Sequence, residues 1–332
     1  MSTVTSADGT IIDYDAYGKG PTVIFIGGAS QHRAIDQRTT EIAKQLAAKG
    51  FTAVDYDRRG RDRSGDTPPW SLGREVEDVA ALIEATGAPA ALYTSSSGAA
   101  IALAAVTAGL DVSALALYEP PYFAGSDGTE HITTLQRMLD AGQLDEATRY
   151  NMTAIIGLPA EAVDQMAQAP WWPGLVAVAP TLVYDHKASR DIETDPDWRS
   201  RWAAVTVPSV VYSGDQTFPG LPAEAVDEMA QAPWWPGLVA VAPTLIYDHK
   251  ASHDIETDPD WRSRWAPVAV STDVFSGDQT FPGLPEAADA VAAALPNAQR
   301  HVLSGQDHGP APEAIVPELV RFLRSITWGP SR

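Results

Sequence analysis

Residues 158–220 recur almost verbatim as 221–283, an offset of 63 positions at which 54 of 63 aligned residues are identical. The tripeptide Gly-Leu-Pro begins at Gly157, Gly220 and Gly283 and marks the seams. Solenoids stack three or more units, each burying its neighbour's face. Two near-copies in an otherwise unrepetitive chain read instead as a local tandem duplication. Without one copy the 332-residue chain shrinks to 269 residues, an ordinary length for a single α/β domain. The expected organisation is therefore one core with an insertion. Its N-terminal part is 1–120, a helical cap follows over 121–204, and 205–220 gives a core strand and its loop. The duplicated segment 221–283 is expected as a flap on the cap side, and 284–332 completes the core.

Outside the repeat, strand and helix signals alternate. The runs at 22–26, 51–56, 90–94 and 114–118 are continuously apolar or nearly so, as strands buried on both faces must be. Between them, 39–49, 71–83 and 98–107 carry helical spacing, with Ser71 as the cap of the second. This predicts a mostly parallel sheet covered by helices on both faces. The rhythm fades over 120–200, which is rich in Trp and Pro. It returns with a helix at 285–295, a strand at 298–303 and a closing helix at 312–325.

The repeat sets a problem for that sheet, because two strands, 205–212 and 268–275, compete for what reads as one slot. Six of the nine differences between the copies fall at 204–212 and their partners. The second strand contains Ser271, Thr272 and Asp273, and burying a lone carboxylate costs several kcal/mol, more than a longer loop does. The expectation is that 205–212 takes the slot.

Composition closes off several functions. Forty-three acids against 23 bases give a formal charge of −20, a field that repels nucleic acid and anionic membrane surfaces alike. There is no cysteine, hence no disulfide, thiolate nucleophile or Cys-type zinc site. No His/Glu spacing reads as a metal motif, and neither a dinucleotide fingerprint nor a phosphate loop occurs, so no cofactor is expected. A polar N-terminus without a basic or apolar leader makes a cytoplasmic location the expectation. The oligomeric state is not legible.

The chemistry centres on Thr94-Ser95-Ser96-Ser97-Gly98, lying between a strand and a helix. Small residues two before and two after Ser96 suit a strained turn that lifts a serine hydroxyl above the sheet edge. The bland alternative is a serine-rich helix cap. A serine needs a base, and His308, in the loop between the last strand and the last helix, is the histidine placed to supply it.

The order strand–Gly-Gly, Asp-Arg-Arg-Gly-Arg, serine elbow, Tyr-Glu-Pro-Pro, variable cap, strand–Ser-Gly-Asp and Gly-Gln-Asp-His-Gly resembles the α/β-hydrolase family over nearly the whole chain except the extra 63 residues. The sequence departs from that family near Asp62, where a glycine is usual. The resemblance implies a Ser96–His308 pair completed by an acid, and amide donors for an oxyanion at Ser97 and in the loop after Ile26, Ala29 ahead of its neighbour Gly28. The acid has two candidate sources. Glu119, at the end of a strand, matches lactone hydrolases of the zearalenone-degrading type, while Asp215 and Asp278, after the duplicated Ser-Gly, match the more general family position. Glu119 is preferred, because Thr217 and Thr280 stand where the family aspartate usually falls. The implied activity is hydrolysis of a small hydrophobic ester or lactone; the alternative is a cyclase, lyase or ligand-binding module on the same fold. Trp171 and Trp172 read either as an apolar wall for substrate or as packing of the cap.

Overall fold

The computed structural model describes residues 2–118, 129–156, 158–193, 209–212, 272–277, 298–306, 310–326 and 328. Their strands are β1 (Ser2–Thr5), β2 (Ile11–Gly18), β3 (Thr22–Ile26), β4 (Thr52–Tyr56), β5 (Ala90–Ser95), β6 (Val112–Tyr118), β7 (Ser209–Tyr212), β8 (Thr272–Gly277) and β9 (Ala298–Leu303). They form one sheet in the order β1-β2-β4-β3-β5-β6-β7-β8-β9. The β1–β2 and β2–β4 pairs are antiparallel, and every pair from β4 to β9 is parallel.

Three helices flank the first half, α1 (Gln37–Ala47), α2 (Leu72–Thr86) and α3 (Gly98–Thr107). Side chains of one strand point alternately to the two faces, so each apolar run feeds two cores. Ile24, Ile26, Val54, Leu92, Leu115 and Leu117 pack with α2 and α3 on one face. Val23, Phe25, Ala53, Ala91, Tyr93 and Ala116 pack on the other, against α1 and the closing helix, Pro312–Ser325. Helix α2 begins where its sequence says it should: Ser71 Oγ accepts from the Arg74 amide at 3.3 Å. Val76, Val79, Leu82 and Ile83 then face the sheet. Asp36 caps α1 in the same way, accepting from the Thr39 amide at 3.1 Å.

The single-slot expectation is overturned. Both copies enter the sheet, with β7 and β8 parallel neighbours. Ser209 pairs with Thr272, Val210 with Asp273, Val211 with Val274 and Tyr212 with Phe275, so each residue of β7 lies beside its own duplicate. The physical reason is that an open sheet has no fixed number of places. A parallel neighbour needs only a crossover of a dozen or more residues, and the repeat supplies far more. The segment 221–283 is accordingly not wholly a flap, since it contributes β8. The helix expected over 285–295 lies outside the described residues. The β1–β2 hairpin was not anticipated from sequence.

Residues 129–193 form the helical cap: α4 (Thr129–Asp140), α5 (Leu144–Tyr150), a π-helical turn Asn151–Ile155, α6 (Ala160–Met166), α7 (Trp172–Ala177), a 3-10 turn Ala179–Thr181 and α8 (Leu182–Glu193). It carries its own small cores, Leu135, Ala147, Leu182 and Val183 in one and Val163, Trp172 and Leu175 in the other. The closing helix is α9 (Pro312–Ser325). Among the described residues no helix is long and apolar enough to cross a membrane.

Candidate active site

Because β3 and β5 to β9 are parallel, the segments that follow them leave the same edge of the sheet. Gly27 and Gly28 follow β3, Ser96 follows β5, Glu119 follows β6, Asp278 follows β8, and His308 comes five residues after β9. Glu119, Asp215, Asp278 and His308 lie outside the described residues; the described part of the site is the serine and its surroundings.

Ser96 sits between β5 and α3 with φ of +49°, the left-handed region that a non-glycine residue seldom occupies. Its amide donates to the Tyr118 carbonyl at 2.9 Å, tying the turn to the end of β6 just before Glu119. Its carbonyl accepts from the Ala99 amide at 3.0 Å, so the turn runs directly into the helix. Small neighbours are required here. A Cβ on Gly98 would lie 2.4 Å from the Ile26 carbonyl oxygen, and one on Gly28 would lie 3.0 Å from the Ser96 Cβ. The elbow therefore presses against the end of β3. Thr94, at the first small position, is fully buried, and among the described residues its hydroxyl has no hydrogen-bond partner.

Facing this turn is the loop after β3. The Gly28 amide donates to Gln31 Oε1 and is thereby occupied. Among the described residues the amides of Ala29 and Ser97 donate to nothing. Of the three amides expected from sequence, Ala29 and Ser97 are thus unoccupied by any described residue, and Gly28 serves instead to let the loop approach the serine.

Sequence reasoning missed what holds these two loops in place. Arg58 and Arg61, in the loop after β4, are almost fully buried. Arg61 donates to the Gly28 carbonyl at 2.6 Å and the Gln31 carbonyl at 3.1 Å. Arg58 donates to the Gly27 carbonyl at 3.2 Å and to Glu75 of α2. Both guanidiniums share Asp185 of α8, at 2.6 and 2.7 Å, and Asp185 also accepts from Ser97 Oγ at 2.9 Å. Burial works against ionising Asp185, yet the Arg61 and Arg58 charges outweigh it and hold the carboxyl down at about 2. One cap carboxylate thereby joins the elbow, the loop after β3 and the loop after β4. Arg59 turns the other way, to Asp78 and Asp8. The only sequence signal was the Asp-Arg-Arg-Gly-Arg run itself; its partner lies 127 residues from Arg58.

The cap is latched a second time by Tyr184, whose ring stacks on Trp70 at 5.2 Å and whose hydroxyl donates to Asp66 at 2.7 Å. Of the Trp pair, Trp172 is 4% exposed, sits in the cap core and donates its indole N–H to Asp145 at 2.6 Å. The packing alternative thus describes Trp172, whose ring is enclosed in the cap and lines no open wall, whereas Trp171 is 43% exposed. At Asp62, where the resemblance led one to look for glycine, φ is +42°. Aspartate is among the few side chains that tolerate this conformation, so the turn survives the departure.

No protein-family model matches the chain, and no curated protein matches it. Solved structures do. An α/β hydrolase from Sphaerobacter thermophilus is 34% identical over 97% of this chain and 100% of its own, with a TM-score of 0.67. An esterase from Exiguobacterium antarcticum, 15% identical, covers 97% of this chain and 99% of its own at a TM-score of 0.56. A thermophilic esterase from Thermogutta terrifontis, 16% identical, covers 98% of this chain and 96% of its own at 0.53. At such identities the two esterases share the fold.

Proposed function

The chain belongs to the α/β-hydrolase family, and from that premise we propose that it is a serine hydrolase opening a carboxylic ester or lactone through an acyl-enzyme. The observation that carries this reading is Ser96, held at φ +49° between a parallel strand and a helix, with open amides at Ala29 and Ser97 beside it. In the proposed mechanism Ser96 Oγ attacks the substrate carbonyl while His308 takes its proton. The tetrahedral oxyanion is met by the Ala29 and Ser97 amides, a contact that strengthens as charge develops. His308 then protonates the leaving alkoxide, and afterwards activates a water that releases the acid and regenerates Ser96. Glu119 fixes the imidazole tautomer and stabilises the imidazolium. No cofactor takes part in this scheme.

The test is covalent labelling by a fluorophosphonate probe. Wild-type protein is expected to label at a single serine and Ser96→Ala not at all, with its far-UV spectrum unchanged. Labelling that persists in Ser96→Ala, at Ser95 for example, defeats the assignment. The acid is tested separately: Glu119→Gln is expected to lower kcat by orders of magnitude, with Asp215→Asn and Asp278→Asn mild. The reverse ranking moves the role to the aspartates.

A further inference from the structure

One buried group has no part in the chemistry above. His32, on the loop after β3, is only 6% exposed, and among the described residues neither ring nitrogen has a hydrogen-bond partner. Buried polar side chains are almost always satisfied, so an imidazole with both nitrogens unused asks for a ligand. The surroundings say of what kind. A ring nitrogen of His32 and carboxylate oxygens of Asp57 and Asp62 all lie within 4.8 Å of one another. No hydrogen bond joins the ring to either acid, yet the three donor atoms are close enough to share one small ion.

The charge around them favours a cation. Arg33 bonds Asp13, Asp15 and Asp57, one guanidinium against three carboxylates, with Asp62 beside them. Asp57 is fully buried and accepts from the Arg33 amide at 2.9 Å and its guanidinium at 2.7 Å. A carboxylate has about four lone-pair sites, so these two bonds leave Asp57 with acceptor capacity to spare.

We propose that His32, Asp57 and Asp62 bind one divalent first-row cation, of which zinc and manganese suit the donors best. One imidazole and two carboxylates, in a chain without cysteine, exclude a thiolate-seeking ion and match borderline to hard divalent cations. The ligands come from the loops after β3 and β4, so the ion pins together the same two loops that Arg61 joins on the elbow side. Ser96, Ala29 and Ser97 are not among its ligands. Its role is to stiffen the loop that carries Ala29, and it stands or falls independently of the proposed hydrolysis.

The experiment titrates chelator-stripped, dialysed protein with Mn²⁺ alone, following free Mn²⁺ by electron paramagnetic resonance, and repeats the titration with Zn²⁺ by calorimetry. A chain of charge −20 collects cations weakly over its surface, so the expected result is one tight equivalent above that background. His32→Ala and Asp62→Asn are each expected to weaken that equivalent at least tenfold. Asparagine tolerates the left-handed backbone at position 62, so the second variant reports even where the first fails to fold. The ion should raise the melting temperature of wild type but not of either variant. Surface-type binding alone, or a tight equivalent unmoved by both substitutions, overturns the site.

Discussion

In β3 to β6 each strand pairs with a neighbour of unrelated sequence, whereas β7 and β8 pair residue for residue with their own duplicates. In the first region an apolar run, a capped helix and the next run follow one another, and each element has one place that its pattern fits. The segment Thr22–Ile26 is buried along its whole length, and burying side chains of that kind contributes roughly 1.5–3 kcal/mol each. That leaves little choice of position. In the second region one pattern is written twice, and pattern alone says what a strand is without saying how many the sheet admits.

The largest effect belongs to the first region. Ser96→Ala is expected to lower ester turnover by about 10⁴-fold or more, whereas Asp273→Asn in the second copy is expected to leave kcat unchanged. Steady-state kinetics on an activated ester decides it. A crippled Asp273→Asn enzyme would mean that the duplicated strand shapes the site as directly as the elbow does.

Next comes the cap carboxylate. Asp185 serves two buried guanidiniums, and removing one partner of a buried pair costs about 3–5 kcal/mol. Asp185→Ala is expected to show that loss in urea unfolding at neutral pH, and to remove the acid-side decline in stability that this carboxyl contributes. The acid is depressed to about 2, so in wild type its contribution is complete above about pH 4 and is lost only as pH falls through 2. The same substitution at its duplicate, Asp248, is expected to stay within about 0.5 kcal/mol, because Arg58 and Arg61 are already satisfied by the first copy. Equal effects at both positions would show the copies sharing the work.

A third test bears on what a buried carboxylate costs a strand. Asp55 stands in β4, between β2 and β3, and is 4% exposed. It is accommodated by a hydrogen bond from Thr40 Oγ at 2.7 Å and by keeping its proton, its carboxyl being pushed by burial from 3.8 to about 7. Because the folded state holds the proton more tightly than the unfolded chain, stability falls as pH rises from about 4 to 7, by at most about 1.4 kcal/mol per unit, and is flat above. Asp55→Asn keeps an acceptor for Thr40 and is expected to remove that slope, as urea midpoints at pH 5, 6, 7 and 8 will show. An unchanged slope assigns the proton elsewhere. A central strand of this protein thus already houses one acid, and the penalty argued against Asp273 was never decisive.

Legibility follows the same divide. The strand at 22–26, the helix at 98–107 and the small residues around Ser96 were readable because they rest on local pattern and sterics. The β1–β2 hairpin was not, since Asp13 and Asp15 interrupt its apolar run and find their cation, Arg33, only through the fold. The Arg58–Asp185–Arg61 bridge was hidden for the same reason: nothing local to any of the three residues specifies the others. His32 is set apart by its burial, which no local residue pattern announces.

The smallest expected effect is the most direct probe of the duplicated pair. Deleting 221–283 joins Gly220 to Leu284 and restores the Gly-Leu-Pro seam. Because β7 and β8 are in register at an offset of 63, β7 then offers β9 the backbone ladder that β8 now provides. Parallel pairing uses backbone groups that every residue carries, so the sheet closes up with one strand fewer. The network at the elbow involves Asp185 and Thr181 of the first copy, and both are retained. The shortened protein is expected to unfold in a single cooperative transition and to keep fluorophosphonate labelling at Ser96. If it fails to fold, the second strand is a working part of the sheet and not a redundant one. If it folds but loses labelling, the duplicated segment reaches the active edge through the loop after β8, where Asp278 stands.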